Sequence, residues 1–436
     1  MKVLFVKEKT SWVGVSNLSL ALGILGTILK NSGHQVKLLD NNSGFVILSE
    51  RKILEAVKEF KPDVIMFSLS PLNASRSYDL VKIIKCIYPD IPVVAGGIHM
   101  KYCYKEAIRF GFDMVVRGEA ETIIDKLVDI ALSFRDKKEY SDKLSRTPFI
   151  AYPGMDEKSL ETVGFPPLLK NLDEVPFVDY DLFQIQHYKV RGGYDTAIFN
   201  TLYTQRGCPY GCTFCSDEIQ KKSVRFSSAK YMFDNLRHYY EYSGNKSFYF
   251  CDNVFTLSRP RVVEFSRLMQ ESGLNKEVSF VCQTNVLANI DEETVYLLKQ
   301  AGCRSVSLGI ERFVEESRFK MNKRFTEKRL DDVVGLFKKI GVGIDYFILV
   351  GLPFDTQELL EKEKEAFHKY EDKLDYPIAQ TLMPMPGTIY YDNYPKTKEW
   401  YLNKRYISDI YSLYSGIYDM RFYLSYKKSN FYNMPK

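Results

Sequence analysis

Two series of apolar, strand-like runs that alternate with helical segments account for most of this chain. In the N-terminal third, runs such as KVLFV, PDVIMFS and IPVVAGG are separated by segments whose apolar residues recur at helical spacing. Strands that alternate with helices in this way form parallel sheets covered on both faces. The pattern therefore predicts an α/β fold that begins with a doubly wound, Rossmann-like parallel-sheet domain over residues 1–135.

A second strand–helix series begins near residue 193. Six apolar runs alternate with helical segments in it: AIFNTLYTQ, SFYFCD, VSFVCQ, SVSLGIE, GIDYFILVGLP and YPIAQTLMP. Six such units predict a partial (β/α)6 barrel over residues 193–390 rather than a closed eightfold barrel. The stretch 136–192 is less regular and contains prolines, which is typical of a linker. The Tyr- and Lys-rich tail, 391–436, is expected to form a short helical cap.

Composition narrows the classes of function. The chain has 436 residues, of which 45% are hydrophobic and 26% charged, as in globular proteins. A net charge of +5 without a Lys/Arg block does not indicate a nucleic-acid partner. No stretch approaches the ~18 apolar residues of a membrane span, and the N-terminus lacks the apolar core of a signal peptide. These features predict a cytoplasmic protein.

Three of the eight cysteines lie within eight residues, in RGCPYGCTFCSDE. Structural zinc sites pair such cysteines with further Cys or His ligands, and the nearest histidines are distant in sequence, at His187 and His238. A redox dithiol needs two thiols, and three free thiols in a loop remain the plain alternative. An iron–sulfur cluster usually takes four thiolates, so three would leave one iron open to a substrate or cofactor. The spacing favours a cluster held by Cys208, Cys212 and Cys215.

This Cys-x₃-Cys-x₂-Cys motif, with Phe214 directly before its third cysteine, resembles the signature of the radical S-adenosylmethionine (SAM) superfamily. Further segments occur in the order that this superfamily shows: FYFCDNVFT, GCRSVSLGIERF, MNKRFT, GIDYFILVGLPFDTQE and MPMPGT. The N-terminal segments PDVIMFS, PVVAGGIHM and DMVVRGEAET look like those of the subgroup with an N-terminal cobalamin-binding domain. The resemblance implies a first domain of the cobalamin-binding type, followed by a radical SAM barrel and the short cap.

The resemblance also implies cofactors and contacts. The three cysteines would hold a [4Fe–4S] cluster whose fourth iron is chelated by the amino and carboxylate groups of SAM. The residues that match SAM-contact positions are Phe214, Asp252, Glu311 and Gly351. The carboxylate of Glu311 could accept hydrogen bonds from the ribose hydroxyls or the methionyl ammonium. Many relatives carry an Arg after the third barrel strand, where this chain has Gln283 and Asn285.

A cobalamin site is implied for the N-terminal domain. The loop VKEKTSWVG lacks the D-x-H-x-x-G motif that offers a histidine to cobalt. One alternative is a vestigial domain without cofactor. The resemblance to cobalamin-dependent radical SAM methylases, which commonly lack this motif too, implies instead that cobalamin binds without a protein His ligand. The residues expected to contact cobalamin follow strands or lie in this loop: Trp12, Ser68, Ser70, Gly96, Gly97, Gly118 and Glu119. The alternatives are ordinary strand-to-helix turns for the serines and glycines, and a core aromatic for Trp12. No G-x-G-x-x-G follows a strand, which disfavours a dinucleotide.

These features predict a cobalamin-dependent radical SAM methyltransferase. It would methylate an unactivated carbon of a small-molecule or natural-product substrate through a 5′-deoxyadenosyl radical and methylcobalamin, with a reductase such as flavodoxin or ferredoxin as electron donor. Each turnover would yield 5′-deoxyadenosine and S-adenosylhomocysteine. The alternative is a cyclase or other ring-forming or ring-contracting enzyme, with or without cobalamin, which yields deoxyadenosine alone. A third class is an iron–sulfur electron carrier or a cobalamin-binding sensor.

Overall fold

The computed structural model of the chain describes residues 1–9, 18–41, 48–183, 201–216 and 224–393. These residues form two compact units. None of the helices in the described ranges is both long and apolar enough to cross a membrane. Beyond Asn393, the predicted C-terminal cap lies outside the described residues.

The first unit comprises the described parts of residues 1–170 and 174–189. Its strands and helices follow one another in this order: β1 (Lys2–Lys7), α1 (Leu20–Asn31), β2 (Gln35–Asp40), α2 (Glu50–Phe60), β3 (Val64–Ser68), α3 (Ala74–Ile87), β4 (Val93–Gly96), α4 (Met100–Arg109), β5 (Met114–Val116), α5 (Ile124–Leu132), α6 (Lys137–Ser145), β6 (Ile150–Ala151) and α7 (Glu157–Glu161).

The sheet of the first unit has the strand order β2-β1-β3-β4-β5-β6. Strands β1 to β5 are parallel, and Phe5 in the centre of β1 lies opposite Leu38 on one side and Met66 on the other. Residues of β1, β3 and β4 are buried almost without interruption, because helices cover both faces. The predicted doubly wound domain is confirmed. Its strand order reverses beside β1, the position at which such sheets bind ligands beyond their carboxyl ends.

Part of the segment predicted as a linker extends this sheet. The side chain of Asp136 caps α6, and the chain then returns as β6. In β6, Ile150 pairs with Val116 of β5 in the antiparallel direction. A strand of two residues is too short to show an alternating apolar pattern, which explains why the sequence indicated only irregular structure there.

The second unit comprises residues 171–173 and the described parts of 190–398. Its elements, in order, are β7 (Thr201–Leu202), β8 (Gln205–Arg206), β9 (Arg225–Phe226), α8 (Ala229–Ser243), β10 (Ser247–Phe250), α9 (Arg259–Glu271), α10 (Leu274–Glu277), β11 (Ser279–Asn285), α11 (Glu292–Gln300), β12 (Cys303–Glu311), α12 (Glu315–Lys320), α13 (Glu327–Ile340), β13 (Gly343–Val350), α14 (Gln357–His368), β14 (Pro377–Thr381) and α15 (Ile389–Asn393).

Six parallel strands form the main sheet of the second unit, in the order β14-β13-β12-β11-β10-β7. This confirms the predicted (β/α)6 arrangement. Phe250 of β10 packs edge-to-face against Phe265 of α9 and Phe280 of β11, with ring centroids 5.7 and 5.3 Å apart. Because alternate residues of a strand point to opposite faces, Tyr249 points away from these helices, toward the inner face of the sheet.

Candidate functional site

The three clustered cysteines lie on the loop that follows β7 and β8, at the edge where the parallel strands of the second sheet end. Cys212 is buried, whereas Cys208 and Cys215 are partly exposed. All eight cysteines of the chain lie in the described ranges and are free of disulfides. In sheets of this kind the loops after the strands carry the chemistry, and here such a loop presents three thiols.

Hydrogen bonds anchor the cysteine loop to distant parts of the second unit. The backbone N–H of Thr213 donates to the carbonyl of Met321 at 3.1 Å, and its hydroxyl lies 3.0 Å from that of Tyr390. The side-chain amide of Asn322 donates to the carbonyl of Gly211 at 2.7 Å. The loop is therefore held by the segment that follows α12 and by α15.

Asp252, predicted to contact SAM, makes hydrogen bonds within the protein through both of its carboxylate oxygens. It is fully buried. Its Oδ1 accepts hydrogen bonds from the backbone N–H groups of Thr204 and Gln205, at 2.6 and 2.9 Å. Its Oδ2 accepts from the hydroxyl of Thr204 and, at 3.1 Å, from the guanidinium of Arg261. A carboxylate offers about four acceptor sites, and these four bonds use them to fix the start of the cysteine loop.

Glu311 ends β12 beneath the cysteine loop and forms a buried ion pair. Its Oε1 lies 2.9 Å from the Nζ of Lys323, and the two residues are 9% and 2% exposed. The backbone of Glu311 is left-handed, with φ of +67°, next to an irregularity in the β12–β13 pairing. Non-glycine residues in this conformation are strained and cluster at functional sites. The sequence pointed to Glu311 by resemblance, but Lys323 was missed because nothing in MNKRFT distinguishes a buried lysine from an exposed one.

The thiol of Cys212 faces the same ion pair. Burial raises the pKa of this thiol, the Lys323 ammonium opposes that shift, and the Glu311 carboxylate adds to it. A cysteine ligand must be deprotonated to bind metal, so iron would compete with a proton here. The interactions bring one predicted metal ligand and one predicted SAM contact together around a lysine.

The remaining predicted SAM contacts lie close to the same edge. Phe214 packs against an apolar cluster whose buried members are Met321, Leu349, Leu352, Leu382 and Tyr390. Phe214 thus packs as a core aromatic does, and its contact with SAM stays a prediction. Gly351 directly follows β13 and has φ of +80°, a conformation that favours glycine.

The side chains of Gln283 and Asn285 form hydrogen bonds with neighbouring groups. The amide of Gln283 donates to the hydroxyl of Tyr249 at 2.8 Å, and that hydroxyl lies 3.3 Å from the hydroxyl of Ser307. The side chain of Asn285 accepts from the backbone N–H of Leu287. The inner face of the sheet thus carries connected amide and hydroxyl groups.

Cys251 directly follows β10 and lies beside Asp252 and Tyr203. Burial raises the pKa of its thiol to about 12, the neighbouring Asp252 acts in the same direction, and hydrogen bonds with Tyr203 and Thr201 oppose the shift. The thiol is therefore protonated near neutral pH. A protonated thiol at this position is a candidate hydrogen-atom donor rather than a metal ligand.

In the first unit, Ser68 and Ser70 lie at the end of β3. The side-chain oxygen of Asn73 accepts from the N–H of Ser70 at 2.7 Å, and its amide donates to the carbonyls of Ser68 and Glu8 at 3.1 and 3.2 Å. These hydrogen bonds form a turn that is stabilised by the side chain of Asn73. They agree with the ordinary-turn alternative for Ser70, while Ser68 stands half-buried at the strand end.

The glycines that follow the strands of the first sheet differ in the space available for a side chain. A Cβ on Gly97 would come within 2.5 and 2.7 Å of the backbone O and N of Leu69, so the crossing of two loops requires glycine there. At Gly96 the nearest atom would be 3.8 Å away, which leaves room for a group to approach. Gly118 has φ of +119°, and Glu119 follows it, partly buried. Trp12 lies outside the described residues.

Glu8 was not singled out from the sequence. It follows β1 at the same rim, is 5% exposed, and its Oε1 is a buried atom without a hydrogen-bond partner in the described part of the chain. Burial raises the pKa of this carboxyl, against hydrogen bonds from Lys9 and Asn41. Buried polar atoms are normally hydrogen-bonded, so Oε1 of Glu8 could accept a hydrogen bond from an amide N–H of a ligand. Cobalamin carries such amide groups at its periphery.

The thiols of a [4Fe–4S] cluster bind separate irons, so Cys208, Cys212 and Cys215 would each ligate one iron. What adjoins Cys212 is a charged pair, Glu311 and Lys323, which suits a charged small-molecule ligand at a fourth iron.

Comparison with protein families decides the classification. Residues 13–128 match the model of the B12 binding domain, and residues 202–365 match that of the radical SAM superfamily. The chain belongs to the radical SAM superfamily, in the subgroup with an N-terminal cobalamin-binding domain. In this radical SAM enzyme, Cys208, Cys212 and Cys215 lie near the start of the segment that matches the radical SAM model, as the resemblance implied.

The similarity to two individual relatives extends over most of the enzyme. It is 29% identical over 409 residues to an uncharacterized methyltransferase of Pyrococcus horikoshii, covering 92% of this chain and 82% of the relative. It is 27% identical over 324 residues to the anaerobic magnesium-protoporphyrin IX monomethyl ester cyclase of Rubrivivax gelatinosus, covering 72% of this chain and 56% of the cyclase. The two names state different reactions, methyl transfer and ring formation.

Among solved structures, the radical SAM methyltransferase TsrM from Kitasatospora setae, with cobalamin and a [4Fe–4S] cluster bound, shares the fold. The TM-score is 0.66 at 19% identity, and the match covers 89% of this chain and 73% of TsrM. At this level of identity the likeness establishes architecture and no further property.

Proposed function

We propose that this enzyme is a cobalamin-dependent radical SAM methyltransferase that methylates an unactivated carbon of a small-molecule or natural-product substrate. The observation that carries the proposal is the pairing, on one chain, of a B12-binding domain with a radical SAM domain whose cysteine loop faces the Glu311–Lys323 pair. When bound, the cluster and SAM supply the 5′-deoxyadenosyl radical, and cobalamin supplies the methyl group.

The residues take the following roles in this proposal. The thiolates of Cys208, Cys212 and Cys215 hold the cluster, and the carboxylate of Glu311 accepts a hydrogen bond from the methionyl amino group of SAM. Gly351 lets the adenosine approach the backbone. Asp252 orders the loop and does not touch SAM.

At the first-unit rim, Ser68, Gly96, Glu119 and Glu8 are the groups assigned to cobalamin. Open space at Gly96 and the orphaned oxygen of Glu8 support this assignment. No histidine takes part, so the lower face of cobalt would carry no protein imidazole. Gly97 and Ser70 are assigned to the backbone turn instead.

The inner face of the second sheet supports a small polar substrate. The linked side chains of Tyr249, Gln283 and Ser307 present hydroxyl and amide groups, which recognise a substrate that carries its own donors and acceptors. The name of the Pyrococcus horikoshii relative supports methyl transfer. We infer a one-electron donor such as flavodoxin or ferredoxin, and a reducing, cytoplasmic location in keeping with eight unbridged cysteines.

A second candidate is a radical cyclase or rearrangement enzyme. The similarity to the Rubrivivax gelatinosus cyclase favours it, as does the protonated thiol of Cys251. A ring-forming enzyme that returns a hydrogen atom to its substrate needs such a donor, whereas a methyltransferase does not.

The test begins with the cofactors. We would purify the protein anaerobically, reconstitute it with iron, sulfide and hydroxocobalamin, desalt it, and measure iron and cobalamin per chain. We expect a full cluster and near-stoichiometric cobalamin. Reduction in the presence of methyl-labelled SAM should then transfer the label to cobalamin and release one equivalent of S-adenosylhomocysteine. A full cluster without bound cobalamin, or deoxyadenosine without S-adenosylhomocysteine, would overturn the methyltransferase and favour the second candidate.

A further inference from the structure

Cys251 and Tyr203 lie side by side where two neighbouring strands of the second sheet end. Phe250 of β10 pairs with Leu202 of β7, and the backbone N–H of Cys251 donates to the carbonyl of Leu202 at 2.9 Å. The thiol of Cys251 and the hydroxyl of Tyr203 are hydrogen-bonded to each other. We propose that this thiol–phenol pair donates a hydrogen atom to carbon radicals formed at the inner face of the sheet. The inference goes beyond the proposed function and rests on it only through the cleavage of SAM.

The thiol faces the inner side of the sheet. Phe250 packs against Phe265 of the outer helix α9, and because alternate residues of a strand point to opposite faces, Tyr249 and Cys251 point inward. Burial raises the pKa of the Tyr249 hydroxyl, and the neighbouring Cys251 acts in the same direction, which places the thiol next to this phenol. The hydroxyl of Tyr249 accepts from Gln283 at 2.8 Å. The pair is therefore continuous with the polar side chains of the inner face.

Tyr203 lines a recess rather than the open surface. The residue is 52% exposed, but burial raises the pKa of its hydroxyl well above the usual range, and Cys251 adds to that shift. A side chain with both properties is open on one side and surrounded by protein on the others. The recess is a space in which a small molecule can meet the thiol and the phenol.

The pair is also fixed relative to the cysteine loop. Asp252, the residue after Cys251, accepts a hydrogen bond at 2.6 Å from the backbone N–H of Thr204, the residue after Tyr203. Cys208 lies four residues beyond Thr204 in the sequence. The thiol of Cys251 is therefore held close to the start of the loop that would bind the cluster.

The protonation states of the two groups leave hydrogen-atom transfer as their chemistry. With a pKa of about 12, the thiol of Cys251 is neutral near pH 7, and the raised pKa of the Tyr203 hydroxyl keeps the phenol neutral as well. The thiolate, not the thiol, is the nucleophile and the metal ligand. An S–H bond is weaker than the C–H bond of an alkyl group, so an alkyl radical takes the hydrogen atom of a neutral thiol in a downhill step.

The proposed step balances with one added electron and one added proton. A C–H bond forms at the 5′ carbon of the deoxyadenosyl radical, or at a substrate radical, while the S–H bond of Cys251 breaks and leaves a thiyl radical. The one-electron donor that reduces the cluster supplies an electron to the thiyl radical. Solvent supplies a proton through the hydroxyl of Tyr203, which restores the thiol. In a methyltransferase the pair returns unmethylated substrate radicals to the starting compound, and in a cyclase it completes the reaction.

The experiment follows a solvent isotope into 5′-deoxyadenosine, with SAM as the probe and no other substrate. The full chain, reconstituted as above, is exchanged into deuterium oxide free of added thiols, so that S–H and O–H groups carry deuterium while carbon-bound hydrogen does not exchange. SAM and dithionite are added, and the mass of the 5′-deoxyadenosine is measured. The variants are Cys251→Ser and Tyr203→Phe. The matched control is Cys282→Ala, because Cys282 is a buried thiol that precedes the inward-pointing Gln283 and so lies on the opposite face.

A second measurement needs no cofactor. The S–H stretching band of Cys251 is obtained as the infrared difference between the apoproteins of the parent and of Cys251→Ser. Loss of the hydrogen bond in Tyr203→Phe should shift this band, whereas Cys282→Ala should leave it in place.

We expect most of the 5′-deoxyadenosine from the parent to carry one deuterium. Cys251→Ser, with its iron content unchanged, should still cleave SAM but lose this deuterium, because the O–H bond of serine is too strong to donate a hydrogen atom. Tyr203→Phe should keep the deuterium in the first turnover and lose it in later ones, since the thiyl radical is restored more slowly. Cys282→Ala should match the parent.

Unlabelled 5′-deoxyadenosine from the parent, or an unchanged label in Cys251→Ser with a loaded cluster, would overturn the inference. An S–H band of Cys251 that does not move in Tyr203→Phe would overturn it as well, since the two groups would then not be paired. These outcomes are separate from a failure of the proposed function. If the label depends on Cys251 but no methyl group reaches cobalamin, the methyltransferase fails while the hydrogen-atom donor stands.

Discussion

Asp252→Asn tests whether a buried carboxylate holds the start of the cysteine loop. The substitution keeps the shape of the side chain but removes its charge and one acceptor atom. If the new NH₂ group replaces Oδ1, it faces the N–H groups of Thr204 and Gln205; if it replaces Oδ2, it faces the guanidinium of Arg261. In either orientation the side chain of Arg261, 6% exposed as a residue, loses its counter-charge. Breaking a buried pair in this way costs about 3–5 kcal/mol.

The assay is urea unfolding of the anaerobic, reduced apoprotein followed by circular dichroism, together with iron per chain after reconstitution. We expect a loss of about 3–5 kcal/mol in the free energy of unfolding of the second unit and incomplete iron loading. The double variant Asp252→Leu with Arg261→Met removes both charges and should lose less than Asp252→Asn. Glu277→Gln, which alters an exposed pair with Lys246, should stay within about 1 kcal/mol of the parent.

Two results would refute this interpretation of Asp252. If Asp252→Asn unfolds at the parental urea concentration and loads iron fully, the four hydrogen bonds do not hold the loop. If the variant is stable and loaded but binds SAM much more weakly, Asp252 is the SAM contact that the sequence predicted.

Three further predictions concern single side chains. Cys215→Ser should lose most of the iron and all reductive formation of 5′-deoxyadenosine, because three thiolates are needed to hold the cluster. The alkylation rate of Cys251 by iodoacetamide, followed by mass spectrometry, should rise about tenfold per pH unit between pH 7 and 10, since a pKa of about 12 leaves roughly one thiolate in 10⁴ at pH 8. Gly97→Ala should destabilise the first unit by about 2–4 kcal/mol in urea unfolding because its Cβ would meet the backbone of Leu69, whereas Gly96→Ala should be near neutral in stability and lower cobalamin retention after desalting.

Controls and contrary outcomes are available for each. Cys86→Ser alters an exposed thiol and should retain full iron. A flat pH dependence of Cys251 alkylation would contradict its burial-raised pKa. Equal stability losses in the two glycine variants would contradict the difference in space at the two positions.

The periodicity of apolar residues was enough to predict both sheets. Unbroken runs such as those of β1 and β3 arise because parallel strands are buried on both faces, and this signal is local in sequence. The cysteine spacing was equally local, since all three thiols belong to one loop. The two-residue strand β6 escaped prediction because its place in the sheet depends on β5, a partner far along the chain.

The chemical roles of single residues divide in the same way. From the sequence alone, the cysteines and Glu311 could be placed at strand ends, where parallel sheets gather their functional loops. That Asp252 turns to the cysteine loop, that Gly97 serves a loop crossing, and that Lys323 faces Glu311 and Cys212 were decided by tertiary structure. Each depends on a distant segment: the guanidinium of Arg261, the backbone of Leu69, and Gly309, where a Cβ would lie 2.6 Å from the Lys323 ammonium. The burial of these side chains and the ion pairs they form depend on contacts between segments that are distant in sequence. A pattern within one segment therefore cannot predict them.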